Sequence, residues 1–304
     1  MGNNDQHAFT LSIDWEDFGQ LLCRDHQGVI TPPLQNIDRQ TDIILQMLND
    51  TGKKATFFIL GMLGKYRPDL VRKIYAEGHE IGLHGQHHID MRKLSDEDVR
   101  ADLLDSKNLV TDIIGAPVFG HRAPYFSIDQ SNLSVLEILT EIGMEYDSSI
   151  FPVKMKRYGI ERFPTGDALY RLSNGKEIVE LPLTVLEQKG KRIPVAGGGY
   201  MRAYPQFYIQ SLFKKINEHK KNVMLYMHPY EFDTKWIDCK ANYPQGSKYS
   251  IIKTTLVNIR WNLFRNSIRS KIRHLLETYN FVTCKNKSDY VKSRSHSPAV
   301  LGRT

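Results

Sequence analysis

Short apolar runs separated by amphipathic stretches set the pattern of this chain. Ala8–Ile13 (AFTLSI), Lys54–Leu60 (KATFFIL), Glu80–Leu83, Val118–Gly120, Ile178–Leu183 and Asn222–Met227 (NVMLYM) are brief runs of strand character, so they predict strands. Between them the apolar positions take helical spacing. Ile43, Ile44, Met47 and Leu48 predict a helix over Asp38–Asp50, with Gly52 as its stop signal. Pro68–Glu77 has proline in its first turn and Gly78 at its end. Ser95–Ile114 predicts a long helix capped by Ser95, with Glu97 and Asp98 in its first turn. Gln130–Ile142 and Pro205–Lys220 predict two more. Alternating strands and helices predict an α/β fold with a mainly parallel sheet.

The ends of these strands carry the polar clusters. Asp14, Glu16 and Asp17 follow the first, His84 the third, Arg122 the fourth and His228 the last. In a parallel α/β barrel such positions gather on one rim, where catalytic sites form. A chain of 304 residues accommodates one such barrel with a remainder. An apolar share of 41% and a charged share of 25% fit a soluble globular protein. Cys23, Cys239 and Cys284 are far apart and lack CxxC spacing, which argues against a disulfide framework or a cysteine metal site. The polar start, Met1 to His7, and the absence of any long apolar run predict no signal peptide, no membrane span and a cytoplasmic location. The net charge of +7 is concentrated in residues 252–304, which predicts a solvated helix face and a basic, disordered tail over 286–304. No basic motif with aromatic interleaving points to nucleic acid.

Candidate chemistry follows from residue type and spacing. On a helical turn, His84 and His88 would share one face and could hold one cation; His87 is an alternative partner for His84. Three carboxylates within Asp14–Asp17 repel one another unless a divalent cation joins them. Asp14 and Glu16 share a side if the strand continues; Asp17 replaces Glu16 if the chain turns. One carboxylate could then bind metal while another acts as general base. Arg122 can pair with Asp14, and the stiff loop at Pro124 can present the Tyr125 N–H to an oxyanion. His228 suits a general acid, with Glu231 or Asp233 placed to tune it. Trp15, Tyr125, Phe126 and Tyr230 are either core residues or faces for sugar rings.

Taken in order, IDWEDF, EIGLHGQHH, GHRAPYFSI, YDSSIFP, ELPLT, AGGGYMR and MHPYEFD resemble the polysaccharide deacetylase family. This is the NodB-homology, or carbohydrate esterase family 4, group, in its exopolysaccharide- and lipopolysaccharide-cluster branch. The spacing of the acids also resembles the allantoinase-like and peptidoglycan-deacetylase-like members. The resemblance implies a distorted (β/α)7 barrel over residues 1–239 and a short helical C-terminal extension over 240–285 packed on it. It implies one divalent metal ion, zinc foremost, held by an acid and two histidines. It further implies hydrolysis of an N-acetyl amide on an amino sugar of a bacterial surface polysaccharide or its precursor. Asp14 matches the family's base, His84 and His88 its metal ligands, Arg122 the residue orienting the base, and His228 the acid. Two departures stand out. The acids, usually adjacent, are separated by Trp15, which favours Glu16 as the third ligand and leaves Asp17 as the alternative. Gly85 stands where Ser or Thr is usual. A hydrolase of a small cyclic amide or ureide and a non-catalytic glycan-binding protein are the rival readings. The expected partner is an amino-sugar glycan; homo-oligomerisation is open.

Overall fold

The computed structural model describes residues 7–27, 32–33, 36–156, 158–219, 221–238, 251–295 and 297–301. Its strands are β1 (Phe9–Trp15), β2 (Thr56–Ile59), β3 (Glu80–Leu83), β4 (Gly120–His121), β5 (Tyr146–Asp147), β6 (Ala168–Arg171), β7 (Glu177–Glu180), β8 (Val185–Gln188), β9 (Lys191–Pro194), β10 (Val223–Met227), β11 (Phe281–Val282) and β12 (Ala299–Val300). The helices are α1 (Phe18–Gln27), α2 (Ile37–Asp50), α3 (Gly61–Tyr66), α4 (Pro68–Ala76), α5 (Asp96–Ile114), α6 (Ser134–Glu141), α7 (Gly198–Ala203), α8 (Gln206–Glu218), α9 (Ile251–Asn262), α10 (Ile268–Thr278) and α11 (Cys284–Arg294).

One sheet runs β10-β1-β2-β3-β4-β5-β7-β6-β12, with β11 also beside β1. Every pairing in it is parallel except β6 with β7. Tyr226 N donates to Ala196 O (3.0 Å) beyond the free edge of β10, and Met224 N donates to Thr184 Oγ1 (2.7 Å). The ring from β7 back to β10 is thus drawn together by single contacts rather than a full ladder. This is the expected α/β barrel, in distorted form.

Alternation along the strands divides the core in two. Phe9, Leu11, Ile13 and Trp15 of β1 join Phe57 and Ile59 of β2 in the outer layer, against the helices. Phe58, Tyr146, Val179, Met224 and Tyr226 form a second, inner cluster. The inward positions of β1 are polar: Thr10, Ser12 and Asp14. Thr10 Oγ1 donates to Val223 O (2.9 Å) and Ser12 Oγ to Leu225 O (3.0 Å), so these hydroxyls help to tie β1 to β10. Continuation of β1 to Trp15 settles that side chain's role. Trp15 is fully buried in the outer core, its Nε1 donating to Thr41 Oγ1 (3.0 Å), so it is no platform for sugar.

The expectation of a disordered tail over 286–304 is overturned for residues 286–295 and 297–301, the rest lying outside the described residues. Thr283 caps α11, accepting from Asn286 N (3.3 Å), and β12 pairs with β6. The basic residues are used as bonds, which composition alone could not reveal. Lys287 is buried and its Nζ donates to Asn222 Oδ1 (2.9 Å); Lys292 Nζ donates to Glu145 Oε2 (2.6 Å). At the start of the helix, Cys284 N donates to Thr56 Oγ1 (2.8 Å) and Lys285 N to Glu80 Oε2 (2.9 Å). Thr56, Glu80 and Asn222 all lie at the entry ends of strands, so α11 closes the end of the barrel opposite the polar rim. Of the extension, residues 240–250 lie outside the described residues; α9 and α10 are ordered helices. Cys284 is buried and unpaired, and burial pushes its thiol up; Cys239 lies outside the described residues. Among the described residues no helix is long and apolar enough to cross a membrane.

A buried histidine beside β2 gives the fold a pH dependence. Ala55 N donates to His79 Nδ1 (3.4 Å), which requires a neutral ring. Burial, helped by nearby Lys54, lowers His79 to about 4. The unfolded chain binds this proton below about pH 6.5 and the folded one does not, so stability is present above that pH and lost as pH falls toward 4. Allowing for solvent screening, the loss is about 2 kcal/mol. Denaturant melts of His79→Asn, whose Oδ1 can still accept from Ala55 N, are expected to show a flatter acid limb than the native chain. Parallel limbs would refute the assignment.

Candidate active site

The chain turns sharply as β1 ends, with Glu16 N donating to Asp14 O (3.1 Å). That turn sorts the three carboxylates. Asp14 stays inside the rim. Asp17 becomes the cap of α1, accepting from Gln20 N (2.7 Å). Glu16 projects between the histidines: its Oε2 lies 2.8 Å from His88 Nε2 and 3.6 Å from His84 Nε2, and its Oε1 lies 3.5 Å from His228 Nε2. Glu16, His84 and His88 are buried, with one ligand atom from each within 4.8 Å of the others. Asp17 has no place in this group, a correction to its candidacy as ligand.

The histidines reach this position on a loop, not on the helical turn that their spacing suggests. Gly85 (φ 72°) and His88 (φ 53°) both lie in the left-handed region. A Cβ on Gly85 would stand 3.0 Å from Asp102 Oδ2 on a left-handed backbone, so Ser or Thr, expected here from the resemblance, is disfavoured. Asp102, from α5, holds the loop: it accepts from Gln86 N (2.7 Å) and His87 N (3.2 Å), and lies 2.9 Å from His87 Nδ1. His87 is therefore tied outward to Asp102. His84 Nδ1 lies 2.8 Å from the Arg122 carbonyl, which can only accept. The Nδ1 then carries a proton, which leaves Nε2, directed at Glu16, as the nitrogen able to ligate a cation.

Arg122 is fully buried and joins three strands. Its Nη1 donates to Asp14 Oδ1 (2.7 Å) and Ser12 Oγ (2.6 Å), its Nη2 to Ser148 Oγ (2.8 Å) and its Nε to Ser148 O (2.9 Å). The ring of Phe58 lies 4.4 Å from the guanidinium carbon. Every bond of this fork fixes the direction from which Asp14 is held. Ser149 Oγ, itself held by Asp147, accepts from Ala123 N (2.7 Å) and pins the next residue. Tyr125 follows in a left-handed conformation (φ 57°), half exposed, with its ring edge-on to His88 at 4.5 Å.

His228 leaves β10 facing Glu16 on one side and Glu231 on the other. Glu231 Oε2 accepts from His228 N (3.0 Å) and lies 3.3 Å from His228 Nδ1. Burial opposes the charged ring, but Glu231, Glu16 and Asp14 outweigh it and push His228 up to about 9. Burial likewise opposes ionisation of Glu16, yet His88, His84 and His228 hold its carboxyl well below the usual range. Asp233, the other candidate tuner, is instead paired with Arg39.

Residues with no recognised role in the sequence support this end of the site. Arg202 Nε lies 3.3 Å from Glu231 Oε1, and a Cβ on Gly198, the first residue of α7, would collide with the Glu231 carboxylate. Arg265 Nη1 donates to Tyr230 O (3.0 Å), and Trp261 packs on Tyr230 at 4.8 Å and Phe18 at 4.2 Å. Tyr230 is thereby core. The AGGGYMR motif was the available signal for Arg202; nothing in the sequence marked Arg265 or Trp261. A cleft of about 1030 Å³ opens over the site, walled by Phe18, Tyr125, Tyr158 and Trp261 among others.

Residues 33–146 match the polysaccharide deacetylase family, and residues 148–288 match a domain of unknown function, DUF3473. A peptidoglycan-N-acetylglucosamine deacetylase of Bacillus cereus is 35% identical over 26% of this chain and 37% of its own length. A chitooligosaccharide deacetylase of Sinorhizobium fredii is 33% identical over 28% of this chain and 40% of its own. The matched stretches thus span less than half of these relatives. Among solved structures, a Mycobacterium smegmatis protein assigned to the polysaccharide deacetylases covers 98% of this chain and 95% of its own, with a TM-score of 0.64 at 16% identity. Puue allantoinase covers 97% of this chain and 94% of its own, with a TM-score of 0.60 at 14% identity. At such identities these two likenesses establish the fold.

Proposed function

We propose that this chain, whose residues 33–146 match the polysaccharide deacetylase family (NodB-homology, or carbohydrate esterase family 4), hydrolyses an N-acetyl amide on an amino sugar of a bacterial surface polysaccharide or its precursor. The observation that carries this reading is the joint placement of Glu16, His84 and His88 beside Asp14–Arg122 and His228 on one rim.

The donor set fits a divalent cation such as zinc: two imidazole nitrogens and one carboxylate oxygen, buried and converging, with His84 locked in the ligating tautomer. Such an ion supplies Lewis acidity toward the acyl oxygen and toward water. The chain's own groups do the rest. Asp14, aimed by Arg122, removes a proton from the attacking water. The loop at Ala123–Tyr125 lines the site beside the acyl group. His228, oriented by Glu231, gives its proton to the departing sugar nitrogen, so acetate and a free amine leave. An aromatic-walled cleft of this size suits a chain of sugar rings better than one small cyclic amide.

The test is acetate release from N-acetylated oligosaccharides, with and without chelator. Activity is expected to vanish with chelator and return with added zinc. Metal content is expected to be one ion per chain in Asp17→Ala and none in Glu16→Ala. Activity unaffected by exhaustive chelation would sink the metal reading.

A further inference from the structure

We propose that the cleft carries a cationic subsite, formed by Lys93, Lys156 and Arg260, for an acidic group of the glycan close to the N-acetyl sugar. This rests on the hydrolase reading above and adds the substrate's charge to it. The three cations come from separate parts of the chain: the turn after β3, the loop after β5, and α9 of the C-terminal extension. All three are exposed, line the same cleft as Glu16 and His228, and make no ion pair among the described residues.

The acidic residues lining that cleft are already engaged. Asp14 is bonded to Arg122, Glu16 sits among the three histidines, and Asp90 is paired with Arg92 (2.7 Å). The field facing solvent is therefore positive, and a divalent ion at the site would make it more so. A solvated helix face would scatter its charges outward; here three elements bring theirs to one opening. The neighbouring walls are aromatic, Tyr125, Tyr158 and Trp261, which suits the apolar faces of sugar rings. Aromatic walls with a cationic rim recognise a carbohydrate bearing carboxylate or phosphate. A neutral homopolymer of N-acetylglucosamine would leave the cations unused.

Calorimetric titration of the full chain in chelator, where no hydrolysis intervenes, tests this with three probes. They are chitotetraose (neutral), a heparosan tetrasaccharide (alternating glucuronate and N-acetylglucosamine) and UDP-N-acetylglucosamine (pyrophosphate). At about 50 mM salt at least one acidic probe is expected to bind roughly tenfold more tightly than chitotetraose, and the gap is expected to close near 500 mM. Which acidic probe gains identifies the anion as carboxylate or phosphate. The double variant Lys156→Ala/Arg260→Ala is expected to lose the gain, whereas Lys214→Ala, on the far helix α8, keeps it. No gain for either acidic probe overturns the proposal, as does a gain that survives the double variant. Acetate release from chitotetraose alone would then leave the hydrolase reading standing. Conversely, salt-sensitive binding of an acidic probe without acetate release from any substrate in added zinc would sink the hydrolase reading and keep the subsite.

Discussion

The Asp14→Asn protein is expected to fold normally, to bind zinc when loaded, and to lose about a thousandfold in kcat. Asparagine has the shape of aspartate, and its Oδ1 can still accept from Arg122 Nη1, so the buried fork on Ser12 and Ser148 survives. Asp14 lies outside the group of Glu16, His84 and His88, so the ion is retained. What disappears is, among the described residues, the one carboxylate both held by Arg122 and turned into the rim. An amide cannot take a proton from water, and a lost general base costs about 10²–10⁴ in rate. Initial rates of acetate release, melting temperature and metal content measured on one preparation separate these effects. A kcat within tenfold of the native value would exclude Asp14 as base, and loss of zinc would make it a ligand.

A chain stopped after Tyr279 is expected to yield no cooperatively folded protein, although the deletion lies far from the polar rim. It removes β11 from beside β1 and α11 from the closed end of the barrel. Glu80, half-buried and held by Thr56, Tyr146 and Lys285 N, loses the last of these donors. Burial already raises the Glu80 carboxyl, so each lost donor matters. Asp167, which burial pushes up to about 6, loses Lys287. Cys284 and Val291 leave the inner cluster with Met224 and Tyr226, opening it to water. Four or five buried or part-buried bonds at about 1 kcal/mol each, with two apolar side chains at about 1–2 each, sum to the scale of a whole domain's stability, about 5–15 kcal/mol. The check is soluble yield, gel filtration and the sharpness of the thermal transition. A truncated chain melting cooperatively within a few degrees of the full one would make α11 dispensable.

Much of the candidate site was legible because its polar groups, placed at strand ends, keep a rhythm with the strands. Asp14, His84, Arg122 and His228 each follow a run whose apolar pattern is plain, and parallel topology brings such ends together. The supports were not legible. Asp102 sits mid-helix in α5 and looks like any solvent-facing acid. Arg265 and Trp261 lie in a stretch with no recognised motif. Such residues act through contacts distant in the chain, and no local pattern records which backbone groups they satisfy. The tail was misread for the same reason: Lys285, Lys287 and Lys292 look solvated until their partners on other elements are seen.

By itself the sequence determined the alternation of elements, hence the barrel, and the residue types on its rim, because periodicity and strand-end position are local properties. Tertiary structure alone decided between Glu16 and Asp17. Both lie within one turn of the strand end, and only the direction of that turn, with α1 waiting to be capped, sends one carboxylate to the histidines and the other to a helix. It also decided that the extension walls the cleft and that the tail closes the barrel, since burial and pairing depend on what the folded chain brings near.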